Sequence, residues 1–557
     1  MDVKKLISEM TLVEKASLCS GNDFWHTKPI ERLKIPNIML SDGPHGIRKQ
    51  ELSGDNLGIY NSIKAVCFPT ACATASSFDC ELMYELGEIL AIECQSENIG
   101  VILGPAINIK RSPLCGRNFE YISEDPYLSS QMASSYIKGI QSKNIGTCPK
   151  HFIANNQETR RMTSSSEIDE RTLREIYLAS FEKAVIDAKP WTVMCSYNKV
   201  NGIQISESKR FLNDILRDEW NFDGCVVSDW GAVKDRVKGL EAGLDLEMPS
   251  SNGLRDELIV KAVKEGKLDI NTLNKAVERI LNLIYKLEEN KNTNTLYDKE
   301  LHHKIARKIE SESIILLKND NILPLDSESK TAFIGLFAEN PRYQGGGSSH
   351  INSFKVESAL DAVKSKQEIF YAKGYNIDDD IIDDKLINEA VKLASNVDTA
   401  VIFAGLPDSF ESEGYDRKHM RLPECQNTLI ESVSKVQPNT IVILHNGSPV
   451  EMPWINNVKG IIEVYLGGEA VGGATIDVLY GDVNPSGKLS ETYPLALSDN
   501  SSYNYFPGTT VSVEHRESVY VGYKYYDTAN KEVAFPFGFG LSYTTFEYSD
   551  LKVSADN

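Results

Sequence analysis

Short apolar runs alternate with amphipathic stretches from the N-terminus to about residue 290. This alternation restricts the folds open to the chain more than any other feature. Runs at 37–40, 100–103, 145–148, 192–196, 224–227 and 243–246 have the length and apolarity of strands buried on both faces. Apolar residues at helical spacing fill 79–96, 125–142, 169–187, 207–219 and 270–287. Repeated β–α units build a parallel sheet, and this length fits a closed (β/α)8, TIM-like barrel. The first helix is marked by a capping-box pair, Thr11 and Glu14, with Gly21 after its apolar stripe.

The pattern breaks at 288–294, where the residues are charged and Asn-rich with no apolar period. Such a stretch reads as a linker, here given residues 291–310, closing a barrel of residues 1–290. A second alternation follows. Strands are expected at 331–336, 399–403, 440–444 and 460–464, and helices at 356–364, 385–395, 423–436 and 469–479. This is the pattern of an open, doubly wound α/β sandwich over 311–490. From 491 to 557 the chain is rich in Tyr, Phe, Gly and Pro, and reads as loops and short β-segments without helix.

Composition narrows the function classes. The 557 residues carry 79 acidic and 59 basic side chains, a net charge of −20. That field repels nucleic acid and anionic membranes, so neither is expected as a partner. No run of about 18 apolar residues offers a membrane span, and the N-terminal Met-Asp-Val-Lys-Lys-Leu lacks the apolar core of a secretory signal. Ten cysteines are scattered without a Cys-x-x-Cys pair or zinc-like spacing. Buried reduced thiols and a cytoplasmic location are expected.

In a parallel barrel, functional groups sit at the C-terminal ends of the strands. Asp42, Lys150 with His151, Tyr197, and Asp229 with Trp230 each follow a predicted strand. One polar strand end means little, and Asp229 could equally cap the following helix. Four in register suggest a site rich in hydrogen bonds, which suits sugar hydroxyls with an aromatic face to stack on. Glycosidic cleavage needs two carboxyls, roughly 5–5.5 Å apart in a retaining enzyme. Asp229 is one candidate. The other can come from the acidic loop after the 399–403 strand, where Glu411 and Glu413 compete. Asp416 and Arg417 are expected to pair with each other or with neighbours and shape that loop. Trp25 and His26 would line the entrance or pack. The glycine run 345–347 lacks the Gly-Lys-Ser/Thr ending of a phosphate loop, so a nucleotide site is rejected.

Several motifs occur in one order along the chain. They are Leu-Ser-Asp-Gly-Pro-His-Gly-Ile-Arg (40–48), Gly-Arg-Asn-Phe-Glu-Tyr-Ile-Ser-Glu-Asp-Pro (116–126), Lys-His-Phe (150–152) and Val-Ser-Asp-Trp (227–230). Ser-Glu-Gly-Tyr-Asp-Arg (412–417), Gly-Gly-Glu-Ala (467–470), Asn-Pro-Ser-Gly-Lys (484–488) and Phe-Pro-Phe-Gly-Phe-Gly-Leu-Ser-Tyr-Thr (535–544) follow. In this order the chain resembles glycoside hydrolase family 3 of the β-glucosidase type over nearly its whole length.

The resemblance implies roles. Asp229 matches the nucleophile and Glu413, placed directly before Gly-Tyr-Asp-Arg, the acid/base. Asp42, Arg48, Arg117, Lys150, His151, Arg161 and Tyr197 match residues that hold sugar hydroxyls. Met194 and Trp230 match apolar and stacking contacts, and Ser348 a contact from the glycine-rich turn. The N-acetylglucosaminidase branch carries Pro-Gly after Lys-His-Phe; Ile-Ala-Asn-Asn-Gln-Glu stands here instead. The expected activity is exo-acting, retaining hydrolysis of terminal β-D-glucosyl residues of a small glycoside or oligosaccharide, with no cofactor and no metal. The alternatives are β-xylosidase or α-L-arabinosidase activity and a silent sugar-binding protein. The fibronectin type III-like sandwich of the usual three-domain member would be cut short at Asn557, leaving aromatic segments that would favour a homo-oligomer.

Overall fold

The computed structural model describes residues 2–50, 62–289, 291–292, 294–377 and 380–554. Two α/β bodies, each with its own apolar core, make up most of it.

The first body is a closed barrel. Parallel strands Leu40–Asp42, Val101–Leu103 and Gly146–Thr147 pair side by side, as do Thr192–Cys195 and Cys225–Ser228. A few backbone bonds, too few for a ladder, close each remaining gap. Phe152 N–H donates to Met194 O (2.8 Å), Ser228 N–H to Leu246 O (2.9 Å), Gly21 N–H to Glu247 O (3.0 Å) and Leu40 N–H to Trp25 O (2.9 Å). Four predicted strands are therefore present within a residue, and the one expected at 37–40 is displaced to Leu40–Asp42. The sixth, at 243–246, is reduced to one bridge between Val227 and Leu246. Two staves near residues 20–27 had no sequence signature. One of them runs against the rest, since His26 pairs antiparallel with Met39. These staves are too short and polar to show a strand period.

Helices 80–96, 126–142 and 270–289 sit where the apolar spacing places them, with Asp79 and Asp125 as N-caps of the first two. The first helix is Val3–Glu9, capped by Asp2 and not foreseen; the second, Leu12–Leu18, begins with the expected capping box of Thr11 and Glu14. The stretch read as a linker differs. Asn290 and Thr293 lie outside the described residues, and Lys299–Ser313 is a helix capped by Asp298. Its charged surface masks a buried stripe of His302, His303, Ala306, Ile309 and Glu310.

The second body is a six-stranded sheet in the order Phe370–Ala372, Thr331–Ile334, Thr399–Gly405, Thr440–His445, Gly460–Glu463, Ile315–Asn319. All neighbours are parallel except the last pair. Alternate residues feed two cores, Ile334, Ile402 and Leu444 on one face and Phe333, Phe403 and Ile443 on the other. From Thr331–Ile334 the chain goes first to one neighbour and then to the other. The switch point therefore lies between Thr331–Ile334 and Thr399–Gly405, where doubly wound sheets open a crevice.

The tail packs on the barrel. Strand Ser512–Glu514 pairs with Ser165–Glu167, and buried Glu124 accepts bonds from the Thr492 and Tyr523 amides (2.9 and 2.8 Å). Contrary to the helix-free reading, Tyr523–Thr528 is a short helix, begun at Gly522 with φ 59°. Its aromatic composition hides a helical turn. Phe546, Tyr548, Leu551 and Val553 are exposed. Among the described residues no helix is long and apolar enough to cross a membrane.

Candidate active site

The barrel rim and the switch point of the sheet face one another across a cavity of about 610 Å³, within the roughly 300–1,000 Å³ range of small-molecule sites. The barrel lines it with Asp42, Arg48, Arg117, Lys150, His151, Met194, Tyr197, Asp229 and Trp230. The sheet's loops after Ile334 and Gly405 add Ser348 and Glu413. Of the residues matched to a catalytic or sugar-holding role, only Arg161 stands outside the lining; His26, offered with Trp25 for the entrance, does not line it either. Arg161 lies behind Glu413, its Nη1 donating to Oε1 at 2.8 Å, with its guanidinium over the Tyr197 ring at 4.7 Å.

Asp229 directly follows Cys225–Ser228. The helix that comes next is capped by Asp235, so Asp229 is free of that duty. Its Oδ1 accepts the Trp230 amide (2.8 Å). Its Oδ2 is buried without a close hydrogen-bond partner among the described residues, with His151 Nε2 at 3.8 Å. Burial raises this carboxyl above the ordinary range, opposed by the charges of Arg161 and Arg117. Burial also pushes the His151 imidazole well down, helped by Arg117 and Lys150, so His151 is neutral.

Glu413 reaches in from the other body. Its Oε2 accepts the Ser348 amide (2.6 Å), and its Oε1 faces Arg161 and, at 3.4 Å, Arg117 Nη1. Burial alone would raise its carboxyl; the two guanidiniums and the amide outweigh that and hold it well below the usual range. Glu411 points away. It is fully buried, its Oε1 accepting the Gly447 amide (2.6 Å) and its Oε2 the Ser448 hydroxyl (3.1 Å), beside Arg342. Geometry thus brings Glu413, and not Glu411, to the cavity. Asp416 and Arg417 do not pair with each other. Asp416 accepts the amides of Gly116, Glu158 and Thr159, and Arg417 donates to Ser448 and to the Pro449 carbonyl.

Behind the rim lies a buried charge cluster. Lys150 Nζ is 3.1 Å from Glu120 Oε1 and 3.8 Å from Asp42 Oδ1, and Arg117 Nη2 is 2.6 Å from Glu120 Oε2. Burial pushes Asp42 up to about 6 against the pull of Lys150 and Arg48. Burial would likewise raise Glu120, but Arg117 and Lys150 prevail and hold it down. Arg48 joins the two bodies, its Nη1 donating to the Ser348 carbonyl at 2.8 Å.

Sequence reasoning assigned no role to Glu120, Glu158, His350 or Ser412. The last two line the cavity. Glu120 sits inside the 116–126 motif and Glu158 ends the stretch after Lys-His-Phe, so their acidic character was the available signal. Phe24 and Trp25 complete the wall, with Trp25 tilted against Trp230 at 5.5 Å. The Trp230 indole donates to the Phe24 carbonyl (2.9 Å), which fixes that edge.

Comparison with known proteins shows the family. Residues 30–283 match the glycosyl hydrolase family 3 N terminal domain and residues 314–543 the family 3 C-terminal domain. The chain is 59% identical to thermostable beta-glucosidase B of Acetivibrio thermocellus, over 99% of this chain and 74% of that protein. It is 45% identical to an exo-alpha-(1->6)-L-arabinopyranosidase of Bifidobacterium breve, over 98% and 74%. The structure of beta-glucosidase 3B from Thermotoga neapolitana in complex with glucose superposes with a TM-score of 0.92 at 38% identity, over 100% of this chain and 85% of that one. With both halves matched and one cavity built between them, this chain is a glycoside hydrolase and belongs to glycosyl hydrolase family 3.

Proposed function

We propose that the chain is a retaining, exo-acting β-glucosidase that uses Asp229 as nucleophile and Glu413 as acid/base. The observation that carries this reading is that Asp229 and Glu413, from separate bodies, line one cavity together with charged and polar groups suited to hydroxyls and the aromatic walls of Trp25 and Trp230. In the first step Asp229 Oδ2 attacks the anomeric carbon. The bond to the leaving oxygen breaks as Glu413 gives that oxygen a proton. In the second, Glu413 takes a proton from water, which attacks the anomeric carbon and releases Asp229. Arg161 and Arg117 favour an ionised Asp229, and the neutral His151 supplies a hydrogen-bonding group without adding charge.

The identity to beta-glucosidase B and the glucose in the Thermotoga neapolitana enzyme support a small glucoside as substrate. The arabinopyranosidase relative gives a second reading, in which the pocket prefers a sugar without a hydroxymethyl group. A panel of nitrophenyl glycosides followed by proton NMR tests both. Fastest cleavage of the β-D-glucoside, with β-glucose as first product, is expected. A first-formed α-anomer would overturn retention, and preference for the α-L-arabinopyranoside would select the second reading. We place the enzyme in a reducing, cytoplasmic compartment, which the free and mostly buried cysteines support. Residues 1–290 form the barrel unit, 291–310 the connection, 311–490 the sandwich and 491–557 the tail in this proposal. The exposed apolar side chains at 546–553 would favour a homo-oligomer, which light scattering can check.

A further inference from the structure

Glu158 is unused by the chemistry above, yet its side chain is fully buried beside the acid/base. Its Oε2 accepts from Arg161 Nη1 at 2.5 Å and from the Gly414 amide at 2.9 Å. The same Arg161 Nη1 donates to Glu413 Oε1 at 2.8 Å. One guanidinium nitrogen therefore lies between two carboxyls, and Glu158 also grips the residue that follows Glu413. The grip is reciprocal, because the Asp416 carboxylate accepts the Glu158 amide (2.9 Å) and the Thr159 amide (2.8 Å).

We propose that Glu158 is a positioning residue that docks the Glu413 loop on the barrel and, as one half of a carboxyl pair bridged by Arg161, supplies the proton affinity that lets Glu413 work as an acid. This rests on Glu413 being the acid/base. The need for such a device follows from the site. Two guanidiniums and the Ser348 amide favour ionised Glu413, whereas the first step requires it protonated. Two carboxyls on one guanidinium nitrogen cannot both ionise cheaply, so the pair retains one proton to higher pH than Glu413 would alone. Burial pushes Glu158 up to about 7, with Arg117 and Arg161 opposing and Glu413 adding to the rise. The other charged groups facing Glu413 are Asp42, Glu120 and Asp229. Tyr197 also feels the charge of Glu413, and Asp416, Tyr121 and Cys115 neighbour Glu158.

The test is the pH dependence of kcat/KM for Glu158→Gln, which keeps the shape and an acceptor for Gly414 but removes the proton site. With a phenyl glucoside, a poor leaving group, the alkaline limb is expected to move to lower pH by about one unit or more. With a dinitrophenyl glucoside, which needs no acid for the first step, kcat/KM at neutral pH should change less than about threefold, which also verifies the fold of the site. An unmoved limb, or an equal loss on both substrates, overturns the proposal. Glu413→Ala run alongside with azide separates the failures. Rescue with an unmoved Glu158→Gln limb refutes only the role of Glu158. Absence of rescue refutes the assignment of Glu413 on which it rests.

Discussion

Gly347 and Glu413 touch in a way that only glycine permits. A methyl group at 347 would fall 2.3 Å from Glu413 Cβ and 2.6 Å from its Oε2, and φ at 347 is +104°. The glycine-rich turn is thus the wall against which Glu413 is packed. Gly347→Ala should lower kcat/KM for poor leaving groups about 100-fold, since a displacement near 1 Å costs this much. The same change should cost about 1–3 kcal/mol of stability through the strained backbone. Kinetics and thermal melting check it. Unchanged values of both would mean that the turn does not set the position of Glu413.

The two acidic candidates of the loop should respond differently. Glu413→Ala is expected to slow phenyl glucoside cleavage about 10²–10⁴-fold, to spare dinitrophenyl glucoside, and to yield β-glucosyl azide when azide is added. Glu411→Ala instead removes the acceptor for Gly447 and leaves Arg342 without that buried partner. It should destabilise by about 3–5 kcal/mol, without azide rescue. Rescue in the Glu411 variant would reverse the assignment.

Much of this was legible in the chain. The barrel strands end in Asp42, Lys150, Tyr197 and Asp229 because apolar runs stop where water or ligand begins, and sequence records that stop directly. The expected 399–403 strand placed the acidic loop directly after it; that this is the switch point shows only with the Phe370–Ala372 strand, which the sequence did not mark. What sequence could not show is contact between residues far apart in the chain. Arg161 shared by Glu158 and Glu413, and Arg48 on Ser348, join residues about 250 or 300 positions apart. The Lys299–Ser313 helix was hidden because its buried face uses His302, His303 and Glu310 where apolar residues would have revealed it.

Stability should peak near pH 6. Buried Glu463, Glu93 and Glu124 are pushed up to about 8, 7 and 7, in each case by burial first. A carboxyl raised in the folded state contributes stability that is complete below its unfolded value and is lost as pH rises through the folded one. That loss falls between about 5 and 8. His45 and His445 are lowered by burial to about 4, so their contribution is present above 6.5 and is lost as pH falls toward 4. Melting temperature against pH should show both declines. Glu463→Gln should flatten the slope between about pH 5 and 8, the window between its unfolded and folded values. A slope unchanged in that variant would remove Glu463 from this account.

The central claim is that Asp229 attacks the anomeric carbon. Trapping with dinitrophenyl 2-deoxy-2-fluoro-β-glucoside, followed by intact mass and peptide mapping, tests it most directly. One fluoroglucosyl group on the peptide carrying Val-Val-Ser-Asp-Trp, located at Asp229 and absent from Asp229→Asn, is the predicted result. Label on any other carboxylate, or rapid turnover by Asp229→Asn without a covalent adduct, would contradict it.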